Sequence, residues 1–163
     1  METATTAFDE KKLPGELNVL TILTIIGCVI GLLFSIYGYI KADENVTNMA
    51  TQLNNPDLPA LAKKFITQDA LDNARIMAAN KLPLVILGTI GIALCFFGAI
   101  QMRQRKLNGY YLWLTGEILP FLGSIIFINM ASVYKGTGQI IGLVIITIFI
   151  ALYTMQKKYL TVK

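Results

Sequence analysis

One acid in this chain falls where acids are rare. Glu117 lies within the run from Tyr110 to Tyr134, whose other polar residues are small apart from Asn129. If that run is a helix, Glu117 sits seven residues past Tyr110, roughly 10 Å along the axis. A carboxyl at such depth in hydrocarbon costs at least ~2 kcal/mol on insertion scales. Three residues on, Pro120 has no N–H to give the carbonyl of Gly116, so a bare acceptor and a kink are expected beside the acid. Non-ideal backbone at membrane depth is either buried in protein or lines a wet cavity. Helical projection puts Trp113, Gly116, Glu117, Pro120, Gly123, Ser124 and Ala131 on one face, with Asn129 pointing away. Two chemistries suit the acid. In one it is protonated and hydrogen-bonds a neighbouring helix as a packing fixture; in the other it binds a proton, a cation or a basic ligand group in a pocket. A third reading lets it snorkel to the interface.

Catalytic chemistry has less to work with. The chain has no histidine, which removes histidine metal ligands and Ser–His pairs, and it carries no P-loop or dinucleotide-binding glycine pattern. Cys28 and Cys95 fall inside apolar segments and read as small packing residues; with Glu117 they could share a depth, but nothing in their spacing argues for a metal site. Asn45-Val46-Thr47 matches a glycosylation acceptor that chance readily produces. We therefore expect no enzyme activity, no catalytic residues, no cofactor and no metal.

The elements that position Glu117 follow from hydropathy. Of 163 residues, 55% are hydrophobic and 15% charged, and the apolar ones are gathered into long blocks, which points to lipid rather than to a soluble core. Residues 1–16 form a polar tail ending in Pro14 and Gly15, with no structure expected. The first span is 17–40; it is too long for a signal-peptide core, and no small-residue cleavage site precedes Lys41, so we read it as retained. Residues 41–81 form a polar, extracytoplasmic loop. A turn is expected at Asn54, Asn55, Pro56 and Pro59, and a solvated helix over Ala60 to Asn80. The second span, 82–102, opens on Pro83, which suits a first helical turn. A cytoplasmic turn, 103–109, leads to the third span, 110–134, where Tyr110, Tyr111, Trp113 and Tyr134 mark the two interfaces. A tight turn at 135–137 leads to the fourth span, 138–156, and a cytoplasmic tail, 157–163. The expected fold is an all-α, membrane-embedded four-helix bundle with a partly helical loop between helices 1 and 2.

Basic residues set the orientation. The termini and the turn after the second span hold eight Lys and Arg in short segments, whereas the opposite side holds six, five of them balanced by five acids in the long loop. The positive-inside rule then places both termini in the cytoplasm. The net charge of +4 is concentrated at these topology signals rather than on a face with interleaved aromatics, which argues against nucleic-acid binding.

Small residues supply the packing grammar, because lipid offers no hydrophobic drive between helices. Thr24, Gly27, Gly31, Ser35 and Gly38 lie within a stripe about 80° wide on the first span. Gly88, Gly91, Cys95, Gly98 and Ala99 form a similar stripe on the second. The expected helix-packing residues are Gly27, Gly31, Gly38, Gly88, Gly91, Gly98 and Pro120. Consecutive elements are usually neighbours, so these faces are expected to meet each other, with another copy of the chain as the alternative.

The stretches LNVLTILT (17–24), GIALCFFGAIQMR (91–103) and GYYLWLTGEILP (109–120) resemble those of a family of small, uncharacterised bacterial four-span integral membrane proteins. The resemblance implies a bacterial cytoplasmic (inner) membrane and carries over no activity or site residue. The expectation is a non-catalytic accessory or structural membrane component whose partners are the lipid bilayer and either other membrane subunits or a homo-oligomer. The alternative is a small transporter or ligand-binding protein centred on Glu117.

Overall fold

The structure is a computed structural model that describes residues 13–57, 59–128 and 137–160. Asn129, Ala131, Tyr134 and residues 135 and 136 of the turn expected at 135–137 lie outside them, and Thr137 is already helical. The described chain is helical: α1 (Gly15–Leu53), α2 (Ala60–Phe65), α3 (Gln68–Ala79), α4 (Lys81–Arg103), α5 (Leu107–Ile128) and α6 (Thr137–Gln156), with a final 3-10 turn over Lys157–Tyr159. Four of these helices, α1, α4, α5 and α6, are long and apolar enough to cross a bilayer, which marks a membrane protein.

Helix α1 runs 39 residues, some 13 beyond the last apolar residue expected to be in lipid. At 1.5 Å per residue that is roughly 58 Å, about twice the hydrocarbon thickness. The extension makes local bonds. Lys41 pairs with Glu44 one turn on, and the hydroxyls of Thr47 and Thr51 donate to the carbonyls of Asp43 and Thr47. Asn54 ends it, its side-chain amide donating to the Ala50 carbonyl, and Pro56 prevents continuation.

The helix expected over Ala60 to Asn80 is two helices. Thr67 takes an extended conformation and its hydroxyl accepts from the amide of Ala70 at 3.1 Å, capping α3 and breaking the register with α2. Helix α3 folds back along α1, burying Leu71. The corner into α4 is fixed by Lys81, which pairs with Asp43 and lies over the Tyr39 ring at 5.6 Å.

Helices α4 and α5 form the tightest pair, an antiparallel hairpin turned over three residues. Arg105 has φ 61°. Its amide donates to the Met102 carbonyl at 2.9 Å, and the Lys106 amide donates to the Gln101 carbonyl at 3.0 Å. Those are the two bonds of a Schellman motif, with arginine in the left-handed position glycine usually takes. Along the seam the backbones touch. A Cβ on Gly98 would lie 2.6 Å from the amide nitrogen of Trp113 and 2.8 Å from the carbonyl oxygen of Gly109. Two turns on, a Cβ on Gly91 would lie 2.6 Å from the Pro120 ring and 2.8 Å from the carbonyl oxygen of Gly116. Gly109 and Gly116 return the contact from α5, and Gly123 packs on the Leu87 side chain. Only glycine admits this approach, and in lipid it supplies the dispersion contact and weak Cα–H···O bonding that hold helices together.

The small-residue stripe of α4 therefore faces α5. That of α1 meets α4 more loosely: a Cβ on Gly31 would reach Ile92 at 3.7 Å, one on Gly88 would reach Ser35 at 3.8 Å, and beside Gly27 and Gly38 nothing lies within 4 Å. Helix α6 is fastened mainly by its C-terminal end. Tyr153 shares a 2.7 Å hydrogen bond with Thr24, Tyr110 shares one of 2.9 Å with Thr154, and Gln156 donates to Glu16. Beyond it, Arg105 donates to the Tyr159 carbonyl, and Lys157 donates to the Tyr111 hydroxyl at 3.0 Å.

Candidate functional site

The buried core lies toward the end where both described termini meet, and it gathers Leu17, Leu20, Cys28, Cys95, Met102, Tyr110, Trp113 and Tyr153. Trp113, read from sequence as an interface marker, has no exposed surface; its ring packs 4.4 Å from that of Tyr153, between helices rather than toward lipid. The reason is the seam: with Gly98 against its backbone, Trp113 has room to lay its ring under α6.

Just beyond this aromatic layer is a cavity of about 300 Å³. Its walls come from four helices: Thr24 and Cys28 of α1, Cys95 of α4, Glu117 of α5 and Phe149 of α6. Glu117, Gly116 and Pro120 all lie on the α5 wall, so the acid, the carbonyl that proline leaves unbonded and the proline ring occur together, as their spacing predicts. Gly27 and Gly91 also line the cavity, whereas Gly31, Gly38, Gly88 and Gly98 do not. Gly38 borders a separate groove among α1, α3 and α4.

Glu117 is the one charged side chain on the wall among the described residues. Its carboxyl faces the Cys95 thiol and the Trp113 indole. Both are donors, and an indole N–H can do nothing else. The thiol is directed at the Trp113 carbonyl at 3.6 Å, and the indole N–H, fully buried, has no hydrogen bond of ordinary geometry. No Lys or Arg pairs with Glu117 among the described residues. The acid thus has the thiol and the indole beside it, neither in an ordinary hydrogen bond to it, a cavity in front and, among the described residues, no countercharge. Cys28 and Cys95 share the cavity with it, but among the described residues no group of three Cys, Asp or Glu is placed to hold a metal ion.

Sequence reasoning did not pick out Thr24, Tyr153 or Phe149 for this site. Thr24 was legible only as a small residue on α1, and nothing in the α6 sequence signals that Tyr153 closes the floor beneath it. Comparison of the chain with protein-family models, curated proteins and solved structures finds no match. The site is therefore read from its own geometry.

Proposed function

We propose that the chain is a non-catalytic, four-span protein of a bacterial cytoplasmic membrane, with both termini in the cytoplasm, that holds a proton or a cationic ligand at Glu117. The observation that carries this reading is the position of the carboxyl, on the wall of a cavity with no cation beside it among the described residues. A packing acid would sit in a filled contact, its protonated oxygen donating to an acceptor on the next helix. Here the carboxyl borders open space instead, and a carboxylate in a low-dielectric site calls for a cation. The cavity therefore favours the ligand-binding reading over that of a purely structural component.

The chain carries its own reporter, since Trp113 is the only tryptophan and faces the acid. Titrating purified protein with protons, and separately with butylammonium, should change Trp113 emission saturably. Glu117→Gln should remove that response while melting close to wild type, because the amide keeps the shape and cannot ionise. If emission ignores both probes, and Glu117→Gln and Glu117→Leu alter only the melting temperature, the acid is a packing fixture and the proposal fails.

A further inference from the structure

The cavity is not sealed. On its lips Leu23 of α1 and Ile145 of α6 are about half exposed, at 49% and 50%, and Gly27 between them has nothing within 4 Å of where a side chain would begin. The mouth thus lies between α1 and α6, halfway along two apolar helices, on a face that meets hydrocarbon once the protein is in a bilayer. These are also the two helices the glycine seam leaves out. Helix α6 is tied to α1 at Tyr153 and Gln156, below the cavity, while Ile141 and Val144 above it stay half exposed.

A ligand entering here arrives through lipid. What it meets is an apolar throat ending on a carboxyl beside the Trp113 indole, with no basic side chain to pair it among the described residues. The recess has room for roughly ten waters at ~30 Å³ each, which suits a small head and the first few methylenes and is too little for a two-chain phospholipid. Resting on the reading of Glu117 as a cation site, we propose that the ligand is a single-chain amphiphile with a protonated amine head, which enters sideways from the bilayer between α1 and α6 and seats its ammonium on Glu117 with its chain left in lipid.

The test uses the full chain in phosphatidylcholine vesicles, with Trp113 emission as the signal and dodecylamine brominated near its amine as the quenching probe. Trp113 has no exposed surface, so phosphatidylcholine brominated on its chains should quench only weakly and without saturation, whereas the brominated amine should quench saturably. Glu117→Gln should abolish the saturable component. Gly27→Leu, or independently Ile145→Phe on the opposite lip should either variant melt below wild type, should weaken it by plugging the mouth. Saturable binding of butylammonium with no more quenching by the brominated amine than by the brominated lipid would overturn lateral entry and leave the cation site standing. A response to neither amine would remove both readings, and quenching that survives Glu117→Gln would place the amphiphile elsewhere and overturn the proposal.

Discussion

Gly98→Ala isolates the interaction that holds α4 on α5. A methyl there would begin 2.6 Å from the Trp113 amide nitrogen and 2.8 Å from both the Gly109 carbonyl oxygen and the Trp113 Cα, all of them backbone atoms. Ordinary contact starts near 3.4 Å, so the helices must separate by about 0.8 Å locally. A gap of that size forfeits roughly a quarter to a half of the dispersion well for each facing atom pair, and overpacking of this kind costs about 1–3 kcal/mol. Opposing it, replacing a helical glycine by alanine gains up to ~1 kcal/mol in propensity. The sign is therefore decided by the seam: Gly98→Ala should be destabilising by about 0–2 kcal/mol net, and Gly98→Leu by clearly more. Gly38→Ala supplies the control, since nothing lies within 4 Å of it and only the propensity gain remains. Melting temperatures in mild detergent check the pair, with Gly98→Ala expected below wild type and Gly38→Ala at or above it. Equal shifts for the two alanine variants would refute the close backbone seam.

Three further outcomes are expected. Tyr153→Phe removes the 2.7 Å bond to Thr24 and should lower stability by about 0.5–1.5 kcal/mol, the range for hydrogen bonds between membrane helices, measured by the same melts. At the α4–α5 turn, Arg105→Gly should melt above Arg105→Ala, because both lose the side-chain bond to the Tyr159 carbonyl while alanine keeps the left-handed strain of φ 61° and glycine relieves about 1 kcal/mol or more of it; equal melting of the two variants would mean the backbone stores no strain there. Reporter fusions after Arg105 and at Lys163 should read as cytoplasmic and one near Asn55 as external; a cytoplasmic signal from Asn55 would reverse the proposed orientation.

Hydropathy made four long apolar helices legible because 20 or so apolar residues in a row leave few alternatives. Their ends were less so. The first apolar block stops at Ile40, yet α1 continues to Leu53, because tertiary ties that hydropathy does not register, α3 packed along it and Lys81 paired with Asp43, hold the extension. Thr67 breaks the following helix for a related reason: a capping hydroxyl competes with the helix for local backbone amides. Which glycine faces which helix was harder still. Two small-residue stripes on consecutive spans suggested that those faces meet, and they do where Gly88 comes to Ser35, whereas Gly91 and Gly98 of α4 are taken by α5. The missed signal was a seven-residue glycine repeat, Gly91 and Gly98 on one helix and Gly109, Gly116 and Gly123 on the next, which an antiparallel hairpin with a three-residue turn brings into register.

That repeat also accounts for where the cavity lies. Glycine against glycine makes α4 and α5 a single slab, with Gly91 seated on Pro120 and on the carbonyl that Pro120 cannot bond. The kink-prone stretch of α5 is thereby pinned to its partner, and Glu117, one residue past Gly116, is held at a fixed place on the slab's surface. Helices α1 and α6 meet the slab through larger side chains and join each other through Tyr153 and Gln156 at one end, so the space in front of Glu117 is left between elements with fewer ties than the slab itself. On the reading proposed for Glu117, a carboxyl fixed on the rigid pair and facing the looser one holds its place while a cation comes and goes.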